Sequence, residues 1–101
     1  MFDLNKIEQI KVLFGNTEKT HLEKVAEPWQ KDPEWSLWYA RHMKIKLEEI
    51  LGRHFTVGEL VYLLLSAESS HKKISPNTER TDFYAKYLFE KHHLQSETSN
   101  V

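Results

Sequence analysis

The stretch that decides the fold runs over residues 55–68 and reads FTVGELVYLLLSAE. Thr56 is followed three residues later by Glu59, which is the spacing of a capping box at the start of a helix. Phe55 and Leu60 occupy the two positions of a hydrophobic staple around the same start. Apolar residues then cover most of the helix circumference, a pattern typical of a helix that is central in its domain. The stretch therefore predicts a central helix in an all-α domain.

Helix signals continue on both sides of this central helix, which we predict over residues 57–70. Upstream, Asp32 is a good N-cap residue and Pro33 suits the first helical position. That helix should run to residue 51 and stop at Gly52, which favours a left-handed C-terminal cap. Downstream, a further helix is predicted from residue 77 or 78 to about residue 93.

The N-terminal part of the chain predicts two shorter helices. The first covers residues 3–14 and is expected to end at the Gly15-Asn16 pair. The second begins at Thr20, which forms a capping-box pattern with Glu23, and ends before Pro28. The expected fold is thus a compact bundle of four substantial helices plus one short helix.

Composition is that of one globular domain, with 101 residues, of which 40% are hydrophobic and 29% charged. We expect residues 1–94 to form this single domain and residues 95–101 to be a flexible C-terminal tail. Fourteen Lys and Arg against fifteen Asp and Glu give a formal net charge of −1, so no global field attracts nucleic acid.

Several function classes are disfavoured by the sequence. The absence of cysteine excludes thiol catalysis, disulfides and cysteine-ligated zinc. The longest apolar run, Leu60 to Leu65, is far shorter than the ~20 residues that span a bilayer. The first residues lack the basic and apolar regions of a secretory signal, so we expect a cytoplasmic protein without membrane contact. No nucleophile elbow, glycine-rich phosphate loop or HExxH motif occurs, so an enzyme is not favoured and no cofactor is expected.

Aromatic residues concentrate on the helix that follows Asp32. Its helical wheel carries two apolar faces, of which one serves the core and the other needs a cover. Tryptophan and tyrosine are enriched at interaction hot spots because they combine apolar area with a polar group. We predict a partner-binding surface made of Trp35, Trp38, Tyr39, His42 and Ile45. In this surface Tyr39 is expected to support the other four residues from the core side. The alternative is that the aromatic cluster of this region is simply part of the core of a small domain, namely Trp29, Trp35, Trp38 and Tyr39.

Pairs with the spacing Glu-x-x-His offer an alternative, because this spacing places a carboxylate and an imidazole on one helix face. Helical di-metal proteins use two such pairs together with two further glutamates. The candidate metal ligands are Glu68, His71, Glu90 and His93. Twelve glutamates and six histidines produce this spacing by chance about once, so the primary prediction contains no metal.

Two parts of the sequence resemble the helix-turn-helix domains of response regulators. Residues 55–60 and 64–68 are similar to the opening of that domain, and residues 74–78 and 89–91 to its recognition-helix region. The family has a second helix between these parts, where this chain has only residues 69–74. The resemblance implies a DNA-binding regulator, although the near-neutral charge of the last helix offers little to phosphate groups.

The function favoured by the sequence is a non-catalytic protein-interaction module. Its expected partner is another protein or a second copy of the chain in a homodimer. A helix-turn-helix DNA-binding regulator and a small Glu-x-x-His metalloprotein are the two alternatives.

Overall fold

The computed structural model describes the backbone of residues 4–99 and the side chains of residues 4–92. Its four α-helices are α1 (Leu4–Val25), α2 (Trp35–Leu51), α3 (Val57–Ile74) and α4 (Arg80–Ser99). One turn of 3₁₀ helix, Trp29–Lys31, lies between α1 and α2. Residues 4–99 contain no strand, and the predicted all-α bundle is confirmed.

The four helices pack as a closed ring in which each one contacts two neighbours. Helix α1 packs against α2 and α4, and α3 packs against the same two helices. The expectation that α3 lies at the centre is therefore wrong, because α3 occupies one corner, diagonally opposite α1. Its side chains Tyr62 and Leu65 are correspondingly 59% and 48% exposed.

Helix α1 is continuous through Gly15 and Asn16, where the sequence predicted a break. The reason is a buried stripe on one side of the whole helix, made of Ile7, Ile10, Phe14, Thr17 and His21. Packing of this stripe outweighs the weak local preference of the two exposed residues, as tertiary contacts often do. The predicted second helix is the last part of α1, and the short element of the fold is the 3₁₀ turn.

The start of α3 and the end of α2 follow the predicted signals, whereas α3 continues to Ile74, four residues beyond its predicted end. Helix α3 begins with the capping box, in which Glu59 N–H donates to Thr56 Oγ1 (3.0 Å) and Thr56 N–H to Glu59 Oε1 (2.8 Å). Helix α2 ends at Gly52, which adopts the left-handed conformation (φ 68°) and donates its N–H to the carbonyl of Glu48. The predicted start of α2 is wrong, because the helix begins at Trp35 with Glu34 as its N-cap, and Asp32 and Pro33 precede it. The Asp32 carboxylate accepts the N–H of Glu34.

Helix α4 begins at Arg80, slightly later than predicted, and continues to Ser99. Residues 100 and 101 lie outside the described residues, and the flexibility of residues 95–101 stays a prediction.

All four helices contribute to one apolar core. Burying a side chain of leucine size contributes roughly 1.5–3 kcal/mol relative to leaving it exposed. The largest fully buried apolar side chains are Tyr39, Tyr84, Phe14, Ile10, Met43, Leu47, Leu60, Leu63, Leu64 and Leu88. Within residues 4–99, no helix combines the length and the apolar character that crossing a membrane requires.

Candidate functional site

The side of α2 that faces away from the bundle carries apolar and charged groups together. Ile45 is 70% exposed, although a buried isoleucine would be the usual case. The residues around it fall within about 100° of one another on the helical wheel. We call this surface the α2 outer face and define it by Trp38, Arg41, His42, Ile45 and Glu49.

Three of the five predicted surface residues lie on the α2 outer face. Trp38 is half-buried, while His42 and Ile45 are exposed. The rings of Trp38 and His42 stack with centroids 5.0 Å apart and an interplanar angle of 10°. Large aromatic area therefore reaches solvent next to an exposed aliphatic side chain, which is the composition of an interaction hot spot.

The other two predicted residues lie inside the domain. Tyr39 is 1% exposed, as its expected supporting position requires, and Trp35 is 8% exposed. The indole of Trp35 packs edge-to-face against Trp29 (centroids 5.1 Å apart) and against Tyr39 (5.4 Å). The 3₁₀ turn thus covers Trp35, so this tryptophan is not available to a partner in this conformation.

A buried histidine supports Trp38 from behind. His21 on α1 is 1% exposed, and its ring packs edge-to-face against the indole of Trp38, with centroids 5.0 Å apart. Its Nε2 lies 2.7 Å from Oδ2 of Asp32. The hydrogen bond with His21, followed by the one from the Glu34 N–H, holds the pKa of Asp32 below its usual value. Trp38 is therefore held in one orientation by a group that is itself fixed.

Beside Trp38 the surface forms an open hollow of about 500 Å³. Acidic, basic and aromatic groups surround it, namely Asp32, Glu34, Leu37, Trp38, Arg41 and His42. A second groove, of about 460 Å³, lies between α1 and α2, and its apolar lining comes from Val12, Leu13 and Ile50. Lys46 and Glu49 border this groove, so it adjoins the α2 outer face.

Charges on the α2 outer face are ordered along the helix. Arg41 is exposed and makes no ion pair or hydrogen bond with the described residues. Glu49 lies one turn beyond Ile45, and its only ion pair within the described side chains is with exposed Lys46, at 3.8 Å. Exposed pairs of this kind contribute at most about 1 kcal/mol. Both charges thus remain open to another molecule.

A second group of polar residues lies between the helices and is largely buried, although the Glu18 side chain remains 35% exposed. We call it the Arg80 cluster, made of Arg80, Glu18, Tyr84, Glu68 and Trp29. The Arg80 guanidinium pairs with Glu18 and donates through Nε to the Tyr84 hydroxyl (3.1 Å), which in turn donates to Glu68. Its Cζ atom also lies 3.6 Å from the ring centroid of Trp29, a close cation–π contact. One side chain therefore connects α1, α3, α4 and the 3₁₀ turn.

Burial governs the protonation of the groups around Arg80. It raises the pKa of the Glu18 carboxyl, an effect that the charge of Arg80 opposes. Burial also raises the pKa of Tyr84, and that of Tyr39 to about 12. Both phenols are consequently neutral at physiological pH, so the Tyr84 hydroxyl keeps the proton that it donates to Glu68.

Sequence reasoning missed His21 and Arg80, although each left a signal. His21 extends the apolar stripe of Phe14 and Thr17 at helical spacing, which placed it on the buried side of α1. Arg80 precedes Tyr84 by four residues, the spacing at which two helical side chains meet. The remaining partners of Arg80 come from elsewhere in the chain, and no local pattern indicates them.

The candidate metal residues are engaged in other contacts or lie apart. Glu68 accepts the Tyr84 hydroxyl and pairs with Lys72 (3.3 Å), and His71 Nε2 lies 2.6 Å from the carbonyl of Thr78. Glu90 is exposed on α4, and the side chain of His93 lies outside the described residues. The side chains of residues 4–92 contain no group of three or more potential ligands placed to hold a metal ion.

The helix-turn-helix resemblance can also be placed on the structure. Helices α3 and α4 are joined directly by residues 75–79, all of which are described, and no helix intervenes. Arg80 at the start of α4 points into the Arg80 cluster, while Asp82 pairs with Lys11 of α1 (3.0 Å).

Comparisons of the chain with protein-family models, with curated proteins and with solved structures find no match.

Proposed function

We propose that this chain is a non-catalytic protein-interaction module that binds a protein partner through the α2 outer face. The observation that carries the proposal is Ile45, which is 70% exposed between a half-buried tryptophan and two open charges. Covering such a side chain removes apolar surface from water at roughly 25 cal/mol per Å². The charged groups around it would set orientation and exclude wrong partners.

Preorganisation of Trp38 supports this proposal. Binding usually has an entropic cost because mobile side chains become fixed, roughly 0.5–1.5 kcal/mol for each one. Trp38 is already held between His21 and His42 by ring contacts at 5.0 Å on each side. Little of that cost remains for a partner that covers it, which is favourable for a small interface.

A second exposed apolar site lies on α3 and is the natural comparison for the first. It consists of Tyr62 and Leu65, one turn apart on the outer side of that helix. No tryptophan flanks these two residues, and the charged neighbours Glu59 and Lys72 are paired within the chain, with Arg53 (3.1 Å) and Glu68 (3.3 Å). We therefore place the partner on α2 and use Leu65 to test the choice.

Enclosure of the histidine–aspartate pair is the reason for proposing a non-catalytic function. His21 and Asp32 have the spacing of an acid–base dyad, with 2.7 Å between Nε2 and Oδ2. A general base must come within hydrogen-bond reach of the substrate, and His21 is 1% exposed. The pair instead fits a role in positioning Trp38. A cytoplasmic location stays a prediction of the sequence.

Matched isoleucines allow a sharp test of the proposed surface. Ile45 and Ile74 are 70% and 73% exposed but lie on different helices. We expect Ile45→Asp to abolish recovery of interacting proteins in a quantitative pull-down and to abolish association in sedimentation. Ile74→Asp should leave both unchanged, with circular dichroism confirming that both variants stay helical.

Two results would contradict the proposal. One is that Ile45→Asp behaves like the native protein in both assays. The other is that Leu65→Asp, at 48% exposure on α3, causes the loss instead. The second result would move the interaction surface to α3.

A further inference from the structure

We propose that the occupant of the α2 outer face is a second copy of this chain, packed so that the two α2 helices cross antiparallel at Ile45. This inference rests on the proposed function, because it names the partner of the same surface. It is carried by the order of charges along α2 and by the shape of the two ends of the face.

The charges on either side of Ile45 have opposite signs. Arg41 lies about one turn before Ile45, and Glu48 and Glu49 lie about one turn after it, where they pair with Lys44 (2.9 Å) and Lys46 (3.8 Å). One turn rises about 5.4 Å, so the two groups are similarly distant from the crossing point. Glu48 contributes little to the contact, because Lys44 and the N–H of Phe55 already occupy its carboxylate, so Glu49 is the acidic group available to Arg41 of the other copy.

Antiparallel packing makes this order self-complementary. A two-fold axis through Ile45 places Arg41 of one copy against Glu49 of the other, and repeats the contact on the opposite side. Parallel packing would place Arg41 near Arg41 and Glu49 near Glu49 of the second copy, which is repulsive. The charge pattern is thus compatible with a second copy and favours the antiparallel over the parallel direction.

Shape complementarity follows the same symmetry. Trp38 precedes Ile45 by the same number of residues as Gly52 follows it, so the axis places the indole of one copy over Gly52 of the other. Gly52 lies at the exposed end of α2, where no side chain other than those of its chain neighbours comes within 4 Å of the position that a Cβ would occupy. A large side chain therefore meets an open site at each end of the contact.

The size of the face indicates a weak dimer. Helix α2 has 17 residues and is about 26 Å long, so a single pair of helices buries less than the roughly 1,200 Å² of a standard interface. Interfaces of this class associate transiently. We expect a dissociation constant between about 1 µM and about 1 mM.

Charge reversal in the purified full chain tests the inference. Sedimentation equilibrium over about 1 µM to about 1 mM should show a reversible monomer–dimer equilibrium. Arg41→Glu and Glu49→Arg should each weaken dimerisation about tenfold, because symmetry repeats every lost pair. The double variant should return to within about threefold of the native protein, since the pairs re-form with exchanged signs. Lys86→Glu on α4, which is diagonal to α2, is the matched control and should change nothing.

The outcomes separate this inference from the proposed function. If the native chain stays monomeric over the whole concentration range, the inference that the partner is a second copy is wrong. The proposed function is then still tested separately by the pull-down with Ile45→Asp. A second outcome overturns only the antiparallel register. In that outcome Ile45→Asp abolishes dimerisation, but the double charge-reversal variant dimerises as weakly as the two single charge-reversal variants. A dimer insensitive to Ile45→Asp contradicts both.

Discussion

The Arg80 cluster places a charged side chain among partners inside the bundle, whereas the α2 outer face leaves charged and apolar side chains exposed to solvent. In the first, an arginine whose side chain is only 14% exposed is covered by aromatic rings and hydrogen-bonded within the chain. In the second, an isoleucine is 70% exposed while Arg41 has no partner among the described residues. The difference indicates which requirements this chain satisfies by itself and which it leaves to another molecule.

Removing the central cation should give the largest effect. Arg80→Ala leaves the Glu18 carboxylate without its ion pair and removes the contact with Trp29. Breaking one side of a fully buried pair typically costs about 3–5 kcal/mol. Because the Glu18 side chain is 35% exposed and partly screened by water, we expect a smaller loss of unfolding free energy in urea, about 2–4 kcal/mol. Lys86→Ala, an exposed cation on the same helix, should change stability by less than about 0.5 kcal/mol. A loss below about 1 kcal/mol for Arg80→Ala would mean that the cluster does not hold the bundle together.

Removing one hydroxyl should have an intermediate effect. Tyr84→Phe deletes the oxygen that accepts from Arg80 Nε and donates to Glu68, and leaves both groups short of a partner. An unsatisfied buried group costs about 1–3 kcal/mol, which urea unfolding can measure. Tyr62→Phe provides the control, because the Tyr62 side chain is 59% exposed. Equal stabilities of the two variants would contradict the hydrogen-bonded chain.

Acid should weaken the support of Trp38. The pKa of Asp32 is lowered in the folded protein, so its contribution to stability is present above the unfolded pKa of about 3.9 and is lost as the pH falls through the folded value. We expect Asp32→Asn to be less stable than the native protein at neutral pH and to converge with it at acid pH. Burial raises the pKa of Glu18, so this residue favours the folded state as the pH falls. Its effect is the same in Asp32→Asn and in the native protein, and it therefore cancels in the stability difference between them. A difference that stays constant in thermal melts from neutral to acid pH would contradict the role of Asp32, and exposed Glu27→Gln is the control.

The smallest effect on folding should come from the residue most important for binding. Ile45→Ala removes a side chain that is 70% exposed, so we expect a change in unfolding free energy below about 0.5 kcal/mol. Leu47→Ala on the same helix, where the side chain is 2% exposed, should cost about 2–5 kcal/mol. Similar losses for the two variants would mean that Ile45 packs within its own chain.

Local signals in the sequence predicted the helix ends better than the long-range packing. The capping box at Thr56 and the stop at Gly52 depend on residues a few positions apart, and both are present in the structure. The break predicted at Gly15 failed because the buried stripe of α1 is stabilised by helices that lie far away in the sequence. Helix periodicity could separate two faces of α2, but it could not show that the 3₁₀ turn covers Trp35.

The Arg80 cluster could not be predicted from the sequence for the same reason. Glu18 and Arg80 are 62 positions apart, and their contact forms only when α1 and α4 pack side by side. From sequence alone Arg80 is an ordinary cation near a helix start. The α2 outer face was easier to predict, because all of its residues lie on one helix.

Two-dimensional NMR of the three indole N–H groups, recorded from low to high concentration of the purified chain, tests the central claim most directly. Trp38 lies on the α2 outer face, whereas Trp29 and Trp35 pack against each other beside Arg80. The account predicts that the Trp38 resonance shifts progressively with concentration while the other two stay fixed, and that Ile45→Asp removes the shift. Shifts of Trp29 or Trp35 as large as that of Trp38, or no shift of any indole up to about 1 mM, would contradict it.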